Sequence, residues 1–185
     1  MAGVPIQQIK EQLQQASIEE LDALILHFQS DERSTVKKEL ERAGKRILAY
    51  EQELKRLEQM KEYETKYNMY SYICGIDEVG RGPLAGPVVV GAVILPRDCK
   101  ILYLNDSKQL SAKKRDELYD VIMEKAVAVG IGMASSQRID EINILQATYE
   151  AMREAISKLS VKPDILLNDA VTIPGVSIRQ VPIIK

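Results

Sequence analysis

The feature that most constrains the fold is a single change of texture near Tyr72. Residues 1 to 66 are polar, helical in period and almost free of strand signals, whereas from Tyr72 onward short apolar or β-branched runs alternate with helical segments. Strands alternating with helices predict an α/β domain with a mixed sheet. We therefore expect residues 1–70 to form a helical N-terminal extension and residues 71–185 to form an α/β domain. A chain of 185 residues with 45% hydrophobic content buries one good core and one added element, not two full domains.

Within the extension, Ser17 followed by Glu20 predicts a capping box, and Leu21, Leu24, Ile25 and Phe28 supply the apolar stripe of a short helix. After a break near Ser30-Asp31, Val36, Leu40, Ala43, Ile47, Tyr50, Leu54 and Leu57 recur in steps of three and four, the pattern of a coiled-coil seam. Two readings stay open: a helical hairpin folded on itself or on the next domain, and a surface for a protein partner. Gly44 weakens any isolated helix by about 1 kcal/mol relative to Ala. Tyr63, Tyr67, Tyr70 and Tyr72 cluster at the junction, where they either pack the linker or stack on bases. His27 reads as a surface or packing residue rather than a ligand.

Strands are expected at Tyr72–Asp77, Pro87–Leu95, Ala126–Ala134, Asp164–Asp169 and Ser177–Ile184, with the first two antiparallel. Ser111 should cap a helix reaching Lys125, with Leu118, Ile122 and Met123 on one side. Leu145, Tyr149, Met152, Ile156 and Leu159 mark a second helix, which Pro163 ends.

Charge excludes one class of function. The formal net charge is −2, and neither part is basic: residues 1–70 carry 11 Lys/Arg against 13 Asp/Glu, and the remainder 14 against 14. Nucleic acid held by bulk positive charge is thereby excluded, so any such contact must be local. Cys74 and Cys99, with no Cys-x-x-Cys, make neither a disulfide framework nor a Cys-rich zinc site, and suit a cytoplasmic protein. No run approaches the roughly 18 apolar residues that crossing a bilayer requires, so no membrane association is expected.

The chemistry concentrates in Gly75-Ile76-Asp77-Glu78-Val79-Gly80-Arg81-Gly82-Pro83-Leu84-Ala85-Gly86-Pro87, a strand that delivers two adjacent carboxylates into a glycine-rich turn. Neighbouring side chains on a regular strand face opposite ways, so Asp77 and Glu78 share one site only if the strand ends or bulges there. Asp169, ending the apolar run from Ile165, brings a third carboxylate. Three acids at strand ends repel one another, and a divalent ion such as Mg²⁺ relieves that repulsion. Gly80 and Gly82 let backbone approach a ligand, and Arg81 between them suits a phosphate. Taken alone, an Asp-Glu pair at a strand end reads first as a solvated turn, and it is the surrounding glycines and Arg81 that change the weighing.

Gly75 to Pro87 resembles the signature that opens the catalytic domain of ribonuclease HII, the type 2 ribonucleases H. Asp106-Ser107-Lys108-Gln109-Leu110-Ser111 is similar to that family's downstream Asp-Ser-Lys-x-Leu-Ser element. Ile139-Asp140-Glu141-Ile142-Asn143 and Leu166-Leu167-Asn168-Asp169-Ala170 extend the likeness in the same order, and the N-terminal extension resembles that of Bacillus-group members. The resemblance implies a ribonuclease H-like α/β fold, a mixed five-stranded sheet with flanking helices. It implies Mn²⁺- or Mg²⁺-dependent endonucleolytic hydrolysis of the RNA strand in RNA/DNA hybrids, and 5′ of ribonucleotides embedded in duplex DNA. Asp77, Glu78 and Asp169 would be the catalytic, metal-binding carboxylates; Gly80, Arg81 and Gly82 would sense the ribose 2′-OH and the adjacent phosphate. Lys108 would lie near the substrate backbone, unless it is a solvated surface lysine.

In the family, the last strand leads through Ile-Lys into a Gly-Asp or Ala-Asp step bearing a fourth carboxylate, whereas this sequence ends at Lys185. On that reading the following helices, a tyrosine under the junction sugar and much basic surface are missing. An exposed apolar patch, one ion bound more strongly than two, and weak or no turnover are then expected. A disabled fragment whose N-terminal helices bind a protein partner is one competing reading. A metal nuclease acting on DNA alone is another, and Arg81 between two glycines speaks against it.

Overall fold

The computed structural model describes residues 4–82 and 86–183. The chain divides into two compact units, Met1–Lys61 and Glu62–Lys185.

The first unit consists of α1 (Ile6–Gln15), α2 (Ile18–Phe28) and α3 (Ser34–Met60). Its core joins Ile9 and Leu13 of α1, Leu21 and Phe28 of α2, and Val36 and Ala43 of α3, with Leu40 and Ile47 packed against them. The first half of the heptad pattern is therefore spent inside the unit, which realises the reading of helices folded on one another. Arg46 of α3 donates from Nη1 to Leu13 O (2.7 Å) and from Nη2 to Ala16 O (3.0 Å), satisfying carbonyls that the end of α1 leaves unpaired. The capping box is present: Ser17 N donates to Glu20 Oε2 at 2.8 Å. His27 is exposed and lies edge-on against the Phe28 ring at 4.6 Å.

The second unit runs α4 (Glu62–Lys66), β1 (Ile73–Val79), β2 (Val88–Ile94), α5 (Ala112–Lys125), β3 (Ala128–Ala134), α6 (Ser136–Ile142), α7 (Ile144–Ser157), β4 (Ile165–Asp169) and β5 (Arg179–Ile183). A short 3-10 turn, Ser107–Gln109, precedes α5. The strands form one mixed sheet in the order β3-β2-β1-β4-β5. β1 pairs antiparallel with β2 and parallel with β4, and β4 pairs parallel with β5. This is the ribonuclease H-like sheet with flanking helices that the motifs imply. The expected fifth strand is shorter, starting at Arg179, and its expected end at Ile184 lies outside the described residues.

One sheet face is dry. Cys74 and Ile76 of β1, Val88, Val90, Ala92 and Ile94 of β2, and Leu166 of β4 meet Ala147, Ala151, Met152 and Ala155 of α7. The alanines recur every four residues, so α7 presents a low ridge. The strand beneath answers with Gly130 and Gly132, where an added Cβ would run into the carbonyl oxygens of Ala155 and Ala151. On α5 the expected stripe is only partly realised: Leu118 is buried, but Met123 is exposed.

Of the junction tyrosines, Tyr70 is tied into the second unit, whereas Tyr72 is exposed. Arg179 donates to Tyr70 Oη at 2.7 Å and lies over its ring, Arg97 donates to Tyr70 O at 3.0 Å, and Tyr72 N donates to Asp164 Oδ2 at 2.9 Å.

Two outcomes are expected. Gly132→Ala should lower stability by about 1–3 kcal/mol through overpacking, whereas Gly91→Ala, where a Cβ meets nothing within 4 Å, should stay within about 0.5 kcal/mol; urea midpoints compare them. Separately, hydrogen bonds from the Ser17 backbone and side chain hold the Glu20 carboxyl below its ordinary range. A carboxyl lowered on folding stabilises above its unfolded value and loses that contribution as pH falls. Glu20→Gln should thus destabilise at neutral pH, with the difference vanishing through the acidic carboxylate range when helix unfolding is followed by circular dichroism.

Candidate active site

β1 occupies the centre of the sheet, where the pairing sense changes. On its β2 side the ladder is unbroken to the end of the strand: Asp77 faces Gly91, Glu78 faces Val90 and Val79 faces Val89. The expectation of a strand end or bulge at Asp77-Glu78 therefore fails on this side. The β-branched run of β2 keeps pairing, and the chain turns only at Gly80, whose φ is +98° and whose added Cβ would strike Pro87 O.

On the β4 side the ladder does stop. Its pairs run from Ile73–Ile165 to Ile76–Asn168 and no further. One more step of the same register would set Asp77 beside Asp169, which closes β4 opposite Ile183. Strand alternation puts both carboxylates on the face away from α7, and both are exposed. The crevice beyond the carboxyl ends of parallel strands, at the point where connectivity changes sense, is where open α/β sheets bind ligands.

Glu78 follows the opposite alternation, on the Cys74 and Ile76 side. Its side chain is 12% exposed, and Oε1 accepts from Arg81 Nη1 at 2.9 Å. Oε2 is buried with no hydrogen-bond partner. Asp77 Oδ1 accepts from Glu78 N at 2.8 Å. Register thus levels Asp77 with Asp169 on one face of the sheet, whereas Glu78 belongs to the other face. Among the described residues, no group of three or more His, Cys, Asp or Glu side chains is gathered as a metal-binding cluster.

The remaining predicted residues fall around this opening or apart from it. Arg81 is engaged by Glu78. Gly82 is exposed and a Cβ there would meet nothing within 4 Å, so packing does not demand glycine at that position. Pro83, Leu84 and Ala85 lie outside the described residues. Lys108 sits in the 3-10 turn, its backbone N donating to Asp106 Oδ1 at 2.9 Å and its residue exposed. Cys74 is buried, which pushes its thiol up to about 12 and removes it as a nucleophile or ligand near neutrality.

Two polar residues beside Asp169 escaped the sequence reading. Asn168 is completely buried, with Nδ2 donating to Gln180 Oε1 at 2.9 Å and to Val171 O at 3.3 Å. The signal was a lone amide at an inward position of an otherwise apolar strand, answered by Gln180 on the neighbouring one.

Comparison with known proteins agrees with the motifs. The family model described as Ribonuclease HII matches residues 74–185, and that described as Ribonuclease HII N-terminal domain matches residues 5–68. A ribonuclease HII of Lachnoclostridium phytofermentans is 66% identical over 158 residues, which is 85% of this chain and 62% of that protein. One of Clostridioides difficile is 46% identical over the whole chain and 73% of the relative. The chain therefore spans a little under two thirds of the first relative's length. Among solved structures, the crystal structure of ribonuclease H2 from Pyrococcus horikoshii is 25% identical, with 53% of this chain and 49% of that one covered at a TM-score of 0.46. With family models matched along both its units and relatives this similar, the chain belongs to the ribonuclease HII family.

Proposed function

We propose that this chain is the bearer of a divalent-metal endoribonuclease site, cutting the RNA strand of RNA/DNA hybrids and the 5′ side of ribonucleotides embedded in duplex DNA. Residues 71–185 supply the chemistry and the helical residues 1–70 form an accessory extension. The observation that carries the reading is the register that levels Asp77 with Asp169 where the β1–β4 ladder stops. The donor chemistry fits a hard cation: carboxylate oxygens alone, one of them, Glu78 Oε2, buried without a partner. Asp77, Glu78 and Asp169 would hold Mg²⁺ or Mn²⁺, which when bound supplies Lewis-acid stabilisation of charge at the scissile phosphate.

The chain's own residues do the rest. Arg81, now on Glu78, is 38% exposed and has further donors to offer a phosphate. Gly80 holds a conformation that side chains rarely adopt, and Gly82 presents bare backbone, so amide groups there can reach a ribose 2′-OH, the group that separates RNA from DNA. Lys108 adds a single exposed cation on a separate loop. With no basic surface in the composition, affinity has to come from these local contacts, and binding should weaken with salt only as a few phosphate contacts require. No helix among the described residues is long and apolar enough to cross a membrane.

When duplex DNA with one embedded ribonucleotide is incubated with this chain and Mn²⁺, the cleavage that occurs should be slow and fall 5′ of that residue, while an all-DNA duplex stays intact. Asp77→Asn should lower the rate on the order of 10²-fold or more, beyond the roughly 10- to 100-fold typical of groups outside the ligand shell. Cutting of all-DNA duplex at the same rate, or indifference to Asp77→Asn, would refute the assignment. A second outcome separates the two glycines. Gly80→Ala should cost about 1–3 kcal/mol of stability through its backbone conformation, whereas Gly82→Ala should leave unfolding unchanged and weaken hybrid binding in a fluorescence-anisotropy titration.

A further inference from the structure

Asp169 stands between two locally unfavourable features. Ahead of it, Asn168 is fully buried and its Oδ1 has no hydrogen-bond partner. Behind it, Ala170 has a φ of +51°, the left-handed region that residues with a Cβ seldom occupy. Buried unsatisfied acceptors and left-handed backbone both cost stability, and they persist where surrounding contacts over-determine them. The β-branched and apolar neighbours of Asn168 show that the position could take a Val in its place.

The over-determining contacts come from one side chain. Gln180 of β5 uses its whole carboxamide: Oε1 accepts from Asn168 Nδ2 (2.9 Å) and Ile173 N (2.7 Å), while Nε2 donates to Ile173 O (3.0 Å) and Val176 O (3.3 Å). Asn168 Nδ2 adds Val171 O at 3.3 Å. Positions 168, 171, 173 and 176 are thereby tied to one point on the neighbouring strand. Ala170 N donates to Ile183 O at 3.0 Å, so the backbone on both sides of Asp169 is fixed to β5.

We propose that the Asn168–Gln180 amide pair is the positioning device for the Asp169 carboxylate, setting the direction in which it leaves β4. Neither amide is assigned to touch metal or substrate. They act through the turn that follows Asp169, as outer residues orient ligands at metal sites. The proposal rests on the reading of Asp169 as a metal-binding carboxylate.

The test reads Mn²⁺ affinity directly, by electron paramagnetic resonance of free Mn²⁺, at a temperature well below unfolding and without substrate. The full chain is compared with Asp169→Asn, Asn168→Val, Gln180→Leu and the double variant, and the unfolding temperature of each is recorded. Asn168→Val and Gln180→Leu should each weaken Mn²⁺ binding about tenfold. The double variant should be little worse than either, since one coupled unit is lost once. Gln180→Met, which removes the amide contacts while keeping the chain length, should weaken binding as Gln180→Leu does, and it stands in should Asn168→Val fail to fold. Folded variants that bind Mn²⁺ like the unaltered chain, or losses that follow unfolding temperature alone, would overturn the positioning role while leaving Asp169 a ligand. Mn²⁺ binding indifferent to Asp169→Asn would overturn the ligand reading, and the proposal with it.

Discussion

The short parallel ladder between β1 and β4 is the constraint on which the rest depends. It joins two segments more than ninety residues apart through pairs that begin at Ile73–Ile165 and stop at Ile76–Asn168. The intervening β2, α5, β3, α6 and α7 make up the loop that those pairs close, at an entropic cost that grows with its length. The ladder is held by what lies on it: Cys74, Ile76 and Leu166 are all buried against the α7 face. Because it stops one residue short of Asp77 and Asp169, the same pairing that secures the sheet also sets two carboxylates at its open end.

Features that lower stability gather at this end of the sheet and are scarce at the other. Glu78 Oε2 and Asn168 Oδ1 are buried without partners, and Gly80 and Ala170 carry positive φ. At the dry face the accounting is the reverse, with an alanine ridge on α7 seated on Gly130 and Gly132. Proteins satisfy local rules throughout and break them where function requires it. That contrast within one sheet supports the proposed site independently of any motif.

Most of the architecture was legible because it rests on periodicity. The β-branched run from Pro87 and the apolar run to Ala134 were legible as strands; the helix α7 was legible too, but of its expected stripe only Met152 is fully buried, Leu145 is exposed, and the core face is the alanine row Ala147, Ala151 and Ala155. Ser17 and Ser111 were legible for a different reason, since caps act within a few residues. What escaped were properties of pairs distant in sequence. A one-strand reading cannot foresee that β1 continues beside β2 while ending beside β4, because the two edges of a strand answer to different neighbours. Asn168 and Gln180 were illegible for the same reason: each alone is a polar residue in an apolar run, and only register makes them one unit. Met123 fell outside the expected stripe because α5 buries a narrower face than its apolar residues suggest.

A chain with net charge −2 cannot draw a polyanion by its overall field, and the acids at the strand ends make the local field less favourable still. The Glu78–Arg81 ion pair, partly buried at 2.9 Å, offsets one of those charges within the chain itself. Exposed, such a pair would contribute little; next to a buried and otherwise unpaired oxygen it is the main compensation that Glu78 has. The same arginine is the cation nearest in sequence to the acids and the one flanked by glycines. On the proposed function, carboxylate neutralisation and phosphate contact would draw on this single side chain, and metal held by Glu78 would leave Arg81 available to phosphate.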